Sequence, residues 1–416
     1  VEDTQNQSCL IVGASHAGVN AAFALRRAGW AGTISIFDRD EELPYHRPPL
    51  SKGFLSGDTT VEESLLKAAA SYETEQIGLH RGVSVRAIER SAKRIELADG
   101  TRHAYDKLIL ATGASPFIPP ITGLKGSDKV FPLRTAADAR GIRAAFMNSR
   151  GKNVVIIGGG YIGLEAAASL RKLGGEVTVL ERENRVLARV TSPEMSAFFT
   201  DLHTQKGVAI ATEHNVSSVE QHGDSLTVVC AGGLRFSADL VIVGVGVRVN
   251  TELARSAGLK NSNGILVDGR MLTSDPDIYA IGDCTSFHHP RYGREIRLES
   301  VQNAVDQAKV AAANICGSST AYDAIPWFWS DQYEVKLQMC GIAAGYNRVI
   351  VRNEADSTPC KRSLWYFTDD QLVAVDAVNH ARAYMLGMKI LKEGRSPAPE
   401  KLADPEVELH PRSIMP

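Results

Sequence analysis

Two stretches of the chain space their glycines as a dinucleotide-binding turn does. IVGASHAGVNAA, residues 11–22, carries Gly13-x-Ser15-x-x-Gly18, and IIGGGYIGLEAA, residues 156–167, carries Gly158-x-Gly160-x-x-Gly163. Each reads as a strand turning sharply into a helix. The first glycine makes the turn, the last lets helix and strand approach, and the amides of the helix N-terminus face a pyrophosphate. Ser15 departs from the usual middle glycine, but its small side chain still lets a phosphate come near. An acid follows each turn where a ribose hydroxyl would be held: Asp38 lies twenty residues after Gly18, and Glu181 eighteen after Gly163. Asp40 is the alternative to Asp38. A carboxylate at Glu181 repels a 2′-phosphate and so favours NADH over NADPH, while Arg182, Arg185 and Arg189 stand close enough to offset part of that repulsion.

The elements that must position these turns are legible as apolar runs. SCLIV (8–12), TISIFD (33–38), NVVIIG (153–158) and EVTVLE (176–181) have the length and composition of buried parallel strands, and the alanine-rich stretches 19–25 and 164–173 read as helices. LILATGASP (108–116) and IYAIGDC (278–284) are further strands, with Ala111, Thr112, Gly113 and Asp283 at their C-terminal ends, where an open parallel sheet binds its ligand. The second turn lies between them, as an inserted domain would. The expected class is α/β: two Rossmann-like dinucleotide-binding domains, at 1–114 with 243–322 and at 115–242, plus a C-terminal α+β interface domain at 323–416. At 416 residues the chain is too long for one core.

HRPPLSK (46–52) reads as a Pro-Pro helix start that places Lys52 early in a helix. ESVQNAVDQAKVAAANI (299–315) reads as a helix, and the tail 393–406 as extended. The aromatic run PWFWSDQ, from Pro326, reads by itself as core or domain interface. A net charge of −2, with 44% hydrophobic and 23% charged residues, argues against bulk attraction to nucleic acid or an anionic membrane. The longest apolar runs, such as 240–247, fall far short of the ~20 residues of a membrane span. VEDTQNQS at the N-terminus is no signal peptide as it stands. The six cysteines contain no CxxC and no metal-ligand spacing, the nearest two, Cys340 and Cys360, lying twenty positions apart. They read as buried or free thiols in a reducing cytoplasm.

Taken together, GASHAG, PYHRPPLSK, LATGASP, PLRTAADA, GGGYIGLEAA, IYAIGDC and PWFWSDQYEVKLQ resemble the oxygenase-coupled, NADH-dependent ferredoxin reductases of the putidaredoxin reductase type. These are FAD flavoproteins of the glutathione-reductase fold, and the resemblance spans almost the whole chain. It implies that the first turn holds FAD and the second NADH, and that the reduced flavin passes single electrons to a [2Fe-2S] ferredoxin serving a cytochrome P450 or a ring-hydroxylating oxygenase. The absence of neighbouring thiols sets the chain apart from flavoproteins that reduce disulfides.

Matched position by position, the resemblance implies Lys52 beside flavin N5, paired with Glu165, and Trp329 between the ring and the docked iron-sulfur protein. FAD contacts fall on Gly13, Ser15, His16, Ala17, Gly18, Asp38, Arg47, Lys52, Val85, Ala111, Thr112, Gly113, Arg134, Asp283 and Val301. NADH contacts fall on Gly158, Gly160, Ile162, Gly163, Glu181 and Gly246. The N-terminus of the 299–315 helix would point at the flavin C2 carbonyl. Ferredoxins are acidic, so Arg291, Arg294, Arg297 and Lys309, with Lys67, form the expected docking face. Two other readings share the fingerprints: a rubredoxin reductase or free-standing NADH:acceptor oxidoreductase, and a redox-sensing protein like apoptosis-inducing factor, whose extra C-terminal insertion is missing here.

Overall fold

Strands Ser8–Val12 and Asn153–Ile157 sit at the heart of two parallel sheets built on one plan. In the first sheet the order is Ile278–Ala280, Lys107–Leu110, Ser8–Val12, Thr33–Phe37, Ile77–His80, and every neighbouring pair is parallel. In the second it is Ala209–Ala211, Glu176–Leu180, Asn153–Ile157, Leu240–Val243, Val130–Phe131, again all parallel. Both faces of such strands are covered, which is why Cys9, Ile11, Leu108, Ile109 and Leu110 are all buried and why the runs read as continuously apolar.

The computed structural model describes residues 4–354 and 360–416. The chain divides into two units, one made of Val1–His46, Val61–Ser115 and Arg248–Pro326, the other of Arg47–Thr60, Pro116–Val247 and Trp327–Pro416. Besides its parallel sheet, the first unit carries a three-stranded antiparallel sheet, Val85–Glu89, Arg94–Leu97, Arg102–Ala104. In the second unit the C-terminal segment forms a five-stranded antiparallel sheet in the order Trp327–Gln332, Val335–Gly341, Gln371–Val378, Arg362–Thr368, Arg348–Asn353. This sheet shares one core with the parallel sheet of its unit: Leu337, Leu364, Tyr366 and Val378 pack in the same cluster as Ile156, Leu164, Leu170 and Val179.

The helices that follow the glycine turns run His16–Arg27 and Tyr161–Lys172, each starting three residues earlier than the alanine-rich stretches suggest. Ser15 and Gly160 are their extended N-cap residues, so the turn feeds straight into the helix. The later helix runs Val301–Ile315 rather than from residue 299, because the Ser300 hydroxyl accepts the amide of Asn303 at 3.1 Å and caps it there. Two expectations need correction. The tail is not extended throughout: Pro399 opens a short helix, Pro399–Ala403, and buried Arg352 ties down the residues beyond it by donating to the carbonyls of Asp404 (2.7 Å) and Pro405 (3.0 Å). Nor is Lys52 inside a helix, since it stands at the break between a 3₁₀ turn and a short helix. Among the described residues no helix is long and apolar enough to cross a membrane.

Candidate functional site

The first turn is closed by backbone crowding. Gly13 has φ 109°, and a Cβ there would lie 2.3 Å from the Ala111 carbonyl oxygen. A Cβ on Gly18 would lie 1.8 Å from the Gly13 carbonyl oxygen, so helix and strand meet only if this position is bare. The Asp38 carboxylate accepts the amides of Ala14, inside the turn, and of Asp40 at 2.8 Å. Asp40 faces elsewhere, accepting Tyr45 OH at 3.0 Å and the Glu42 amide at 3.2 Å. It is therefore Asp38 that the fold sets against the glycines.

Residues far along the chain complete this end of the sheet. At Gly282 a Cβ would lie 3.1 Å from Ala17 Cβ, which brings the turn carrying Asp283 against the start of the first helix. The Gly282 amide is held by Gln307 Oε1 at 2.7 Å. Thr112 and Asn250 exchange hydrogen bonds, Thr112 Oγ1 to the Asn250 carbonyl at 2.7 Å and Asn250 Nδ2 to the Thr112 carbonyl at 2.8 Å, beside Gly113. Val301 opens its helix, and Val85 opens the antiparallel sheet. His16, buried in the turn, has Nε2 3.1 Å from Nδ1 of His46, a partner that sequence reasoning missed. Burial and then the Lys67 ammonium hold His46 below the ordinary imidazole range.

The second turn repeats the first. Gly158 has φ 110°, with the Gly244 carbonyl oxygen 2.4 Å from where a Cβ would be, and at Gly163 the Gly158 oxygen would be at 2.2 Å. Glu181 Oε2 accepts the Gly159 amide at 2.7 Å and Oε1 the Glu183 amide at 2.9 Å, the arrangement seen at Asp38. In front of Gly160 there is open space, with no atom within 4 Å of a Cβ position, so a phosphate can approach the helix N-terminus. Ile162 lies exposed on the first helical turn, and the Gly246 carbonyl accepts the Phe117 amide at 2.9 Å. The arginines after Glu181 are engaged. Arg182 pairs with Glu183 at 2.9 Å, Arg185 donates to Thr191 O (3.0 Å), Ser196 Oγ (2.6 Å) and Ala188 O (2.9 Å), and Arg189 reaches Val245 O at 3.4 Å. Of the three, Arg182 has its charge paired, whereas Arg185 and Arg189 donate to neutral oxygens and remain positive near Glu181, whose carboxylate is the group turned onto the glycines.

Lys52 is placed by a break in the backbone. Pro48–Ser51 forms a single 3₁₀ turn, Lys52 leaves the helical region (φ −121°, ψ −115°), and a short helix, Gly53–Ser56, comes next. The correction has a simple cause: the two prolines set up one tight turn, which closes with the Lys52 amide on the Pro49 carbonyl at 3.0 Å. The kink sends the ammonium to Glu165, 2.7 Å away, with Lys52 side chain 20% exposed and Glu165 2%. Glu165 also accepts Ser51 Oγ at 2.5 Å and, on its other oxygen, Ser330 Oγ at 2.7 Å. Sequence reasoning missed both serines, although they adjoin the singled-out Lys52 and Trp329. Arg47 Nη1 donates to the Arg134 carbonyl at 2.5 Å, which joins two further expected contacts. Trp329 is half-buried on the edge strand, 5.6 Å from the ring of Trp327.

The expected basic face is less basic than its arginine count suggests. Arg297 pairs with Glu299 and is 17% exposed, and Lys309 pairs with Asp306 at 3.0 Å, so neither offers an uncompensated charge. Arg294 lies on the exposed strand Arg294–Ile296, and Lys67 sits 5.2 Å over the Phe23 ring.

Residues 7–308 match the family described as pyridine nucleotide-disulphide oxidoreductase, and residues 327–412 match the family described as reductase C-terminal. The chain belongs to the pyridine nucleotide-disulphide oxidoreductase family. It is 42% identical over 409 residues to putidaredoxin reductase CamA of Pseudomonas putida, covering 97% of this chain and 96% of that one. It is 37% identical over 371 residues to a rubredoxin-NAD(+) reductase of the same organism, covering 89% and 95%. Among solved structures, the covalent putidaredoxin reductase–putidaredoxin complex superposes with a TM-score of 0.92 at 41% identity, over 97% of each chain. The resemblance read from the motifs is thereby borne out, as are the α/β class and an oxidoreductase activity. The family name joins nicotinamide nucleotides to disulphides, but this member has only free cysteines. Burial pushes the Cys284 thiol up, as it does those of Cys9 and Cys340, disfavouring the thiolate that disulphide exchange requires.

Proposed function

We propose that the protein is an NADH-dependent ferredoxin reductase that uses FAD and serves an oxygenase through a [2Fe-2S] ferredoxin. The observation that carries this reading is the duplicated turn with its inward-facing acid, one copy at Asp38 and one at Glu181. Two dinucleotide cradles in a chain without two cysteines close in sequence suit a relay from a nucleotide to an external acceptor. Bound FAD would supply a carrier that takes a hydride from NADH in one step and gives up its electrons one at a time.

The chain's own residues bind, orient and bias. In the first domain, 1–114 with 243–322, the turn Gly13–Gly18 with Asp38 and Asp283 would hold the FAD pyrophosphate and ribose. In the second, 115–242, Gly158, Gly160 and Gly163 would face the NADH pyrophosphate, and Glu181 the adenosine 2′-hydroxyl. Lys52, fixed by Glu165, would present a positive charge to the reduced ring. Trp329, in the C-terminal segment, would lie toward the iron-sulfur partner. The likeness to putidaredoxin reductase supports a ferredoxin as that partner.

The test is NADH-driven reduction of cytochrome c by the purified protein, with and without members of a [2Fe-2S] ferredoxin panel. Reduction that depends on a ferredoxin is expected, and equal rates without any carrier would refute the reading. The rubredoxin reductase likeness favours one rival, so a rubredoxin belongs in the panel. Faster turnover with it than with every ferredoxin would move the assignment there.

A further inference from the structure

Glu165 is the inner end of a buried hydrogen-bond chain that the electron-transfer chemistry does not explain. Its Oε1 takes the Ser330 hydroxyl at 2.7 Å, Ser330 Oγ is 3.1 Å from Gln332 Nε2, and Gln332 Oε1 is 2.8 Å from His203 Nε2. All three side chains are 0–1% exposed. The outer end is the hairpin residue Tyr333, whose OH is 3.5 Å from His203 Nδ1 and whose ring packs edge-on to the imidazole at 5.2 Å. Tyr333 is held at φ 55°, a conformation a bulky residue keeps only when its surroundings require it. Lys206 reinforces this end, 5.5 Å over the Tyr333 ring and paired with Glu334 at 3.0 Å.

The direction of the chain is set by what each group can do. A carboxylate only accepts, so Ser330 must donate to Glu165. The Ser330 oxygen then receives the Gln332 amide hydrogen, which turns the Gln332 carbonyl oxygen toward His203. That oxygen can only accept, so neutral His203 must carry its proton on Nε2. Burial holds the imidazole below its ordinary range, which suits the neutral form. Every donor thus points inward, toward the anion that also grips Lys52.

We propose that Ser330, Gln332 and His203 are positioning residues whose one-way donor chain holds Glu165 as the carboxylate that fixes Lys52 for hydride transfer. The proposal rests on the reading of Lys52 and Glu165 given under the proposed function. It extends that pair by three residues from two other elements, the edge strand Trp327–Gln332 and the helix Pro193–Gln205.

The test uses the full-length, flavin-loaded protein with Ser330→Ala and, as an isosteric check on folding, Gln332→Glu, which replaces the amide donor by an acceptor and draws the Ser330 hydroxyl away from Glu165. In both variants the rate constant of flavin reduction at saturating NADH, read by stopped flow, is expected to fall about tenfold with the half-saturating NADH concentration nearly unchanged. In Ser330→Ala the ¹⁵N resonances of the His203 ring should change from a single Nε2–H form to a mixture of tautomers, and Ser330→Thr should restore both readouts. Wild-type reduction rates in both variants, or an unchanged ring signature in Ser330→Ala, would overturn the proposal. A wild-type protein that does not oxidise NADH would reject the function reading instead, and the ring signature would still decide whether the chain runs inward.

Discussion

Asp376 offers a stability experiment whose sign and size can be worked out beforehand. Its side chain lies on the central strand of the C-terminal sheet, 4% exposed, where Oδ2 accepts Tyr366 OH at 2.7 Å and Thr191 Oγ1 at 2.8 Å. Burial pushes the carboxyl from 3.8 up to about 6, and the two hydroxyls only partly counter it. Between those values the folded protein keeps a proton that the unfolded chain has lost, so stability falls as pH rises through the window and is flat above it. At ~1.36 kcal/mol per pH unit the full cost is about 3 kcal/mol, of which about 2 kcal/mol develops between roughly pH 4.5 and 7.5.

Asp376→Asn removes the charge and keeps an oxygen for both hydroxyl donors. Measured by urea unfolding, the variant is expected to gain on the wild type as pH rises from about 4.5 and to level off above about 6, by about 2 kcal/mol in all, with the same m value for both proteins. A difference that stays constant with pH would refute the reasoning, since it would mean that the carboxyl titrates alike in folded and unfolded chains. The location gives the cost a setting: Asp376 is in register with Met339, whose sulfur receives Tyr161 OH, at 3.0 Å, from the second glycine turn. A charge that destabilises the fold is thus kept two contacts from the second glycine turn, and functional sites commonly hold such strain.

Three further outcomes are expected. Glu181→Arg should shift the ratio of NADPH to NADH use on the order of tenfold toward NADPH in steady-state kinetics, because it replaces the carboxylate held on the Gly159 amide by a cation; an unchanged ratio would show that the arginines after it or the backbone set the preference. Trp329→Ala should slow ferredoxin reduction on the order of tenfold while NADH:ferricyanide activity stays near wild type, and loss of both activities would point to damage at the flavin rather than at the partner. Gly13→Ala forces a Cβ to 2.3 Å from the Ala111 oxygen at φ 109°, so the variant should lose about 3 kcal/mol or more and purify with little bound flavin, read from its absorbance near 450 nm and its melting temperature.

How much of the fold and site is readable from the sequence depends on how far apart the partners lie in the chain. Each glycine turn and its acid fall within about two dozen residues, so spacing alone announces them. The choice between Asp38 and Asp40 stays open in the sequence because both are acids two positions apart. Only the direction of their carboxylates, one to Ala14 and one to Tyr45, separates them. Lys52 is found by its motif but its backbone is misjudged, since a Pro-Pro pair serves a 3₁₀ turn as well as a helix start. Ser330 and Gln332 are invisible for a different reason. They are the buried residues of a strand that also carries Trp327, Phe328, Trp329 and Asp331, and their meaning lies in Glu165, which Ser330 meets across 165 positions. The shared core of the C-terminal sheet and the second parallel sheet has the same origin, since no local pattern says that Leu337 will pack in one cluster with Leu170. The glycine turns with their acids are local devices that the sequence displays. The polar chain behind Glu165 exists only once three distant segments have condensed, which is why the residues argued to tune the chemistry are those no motif contains.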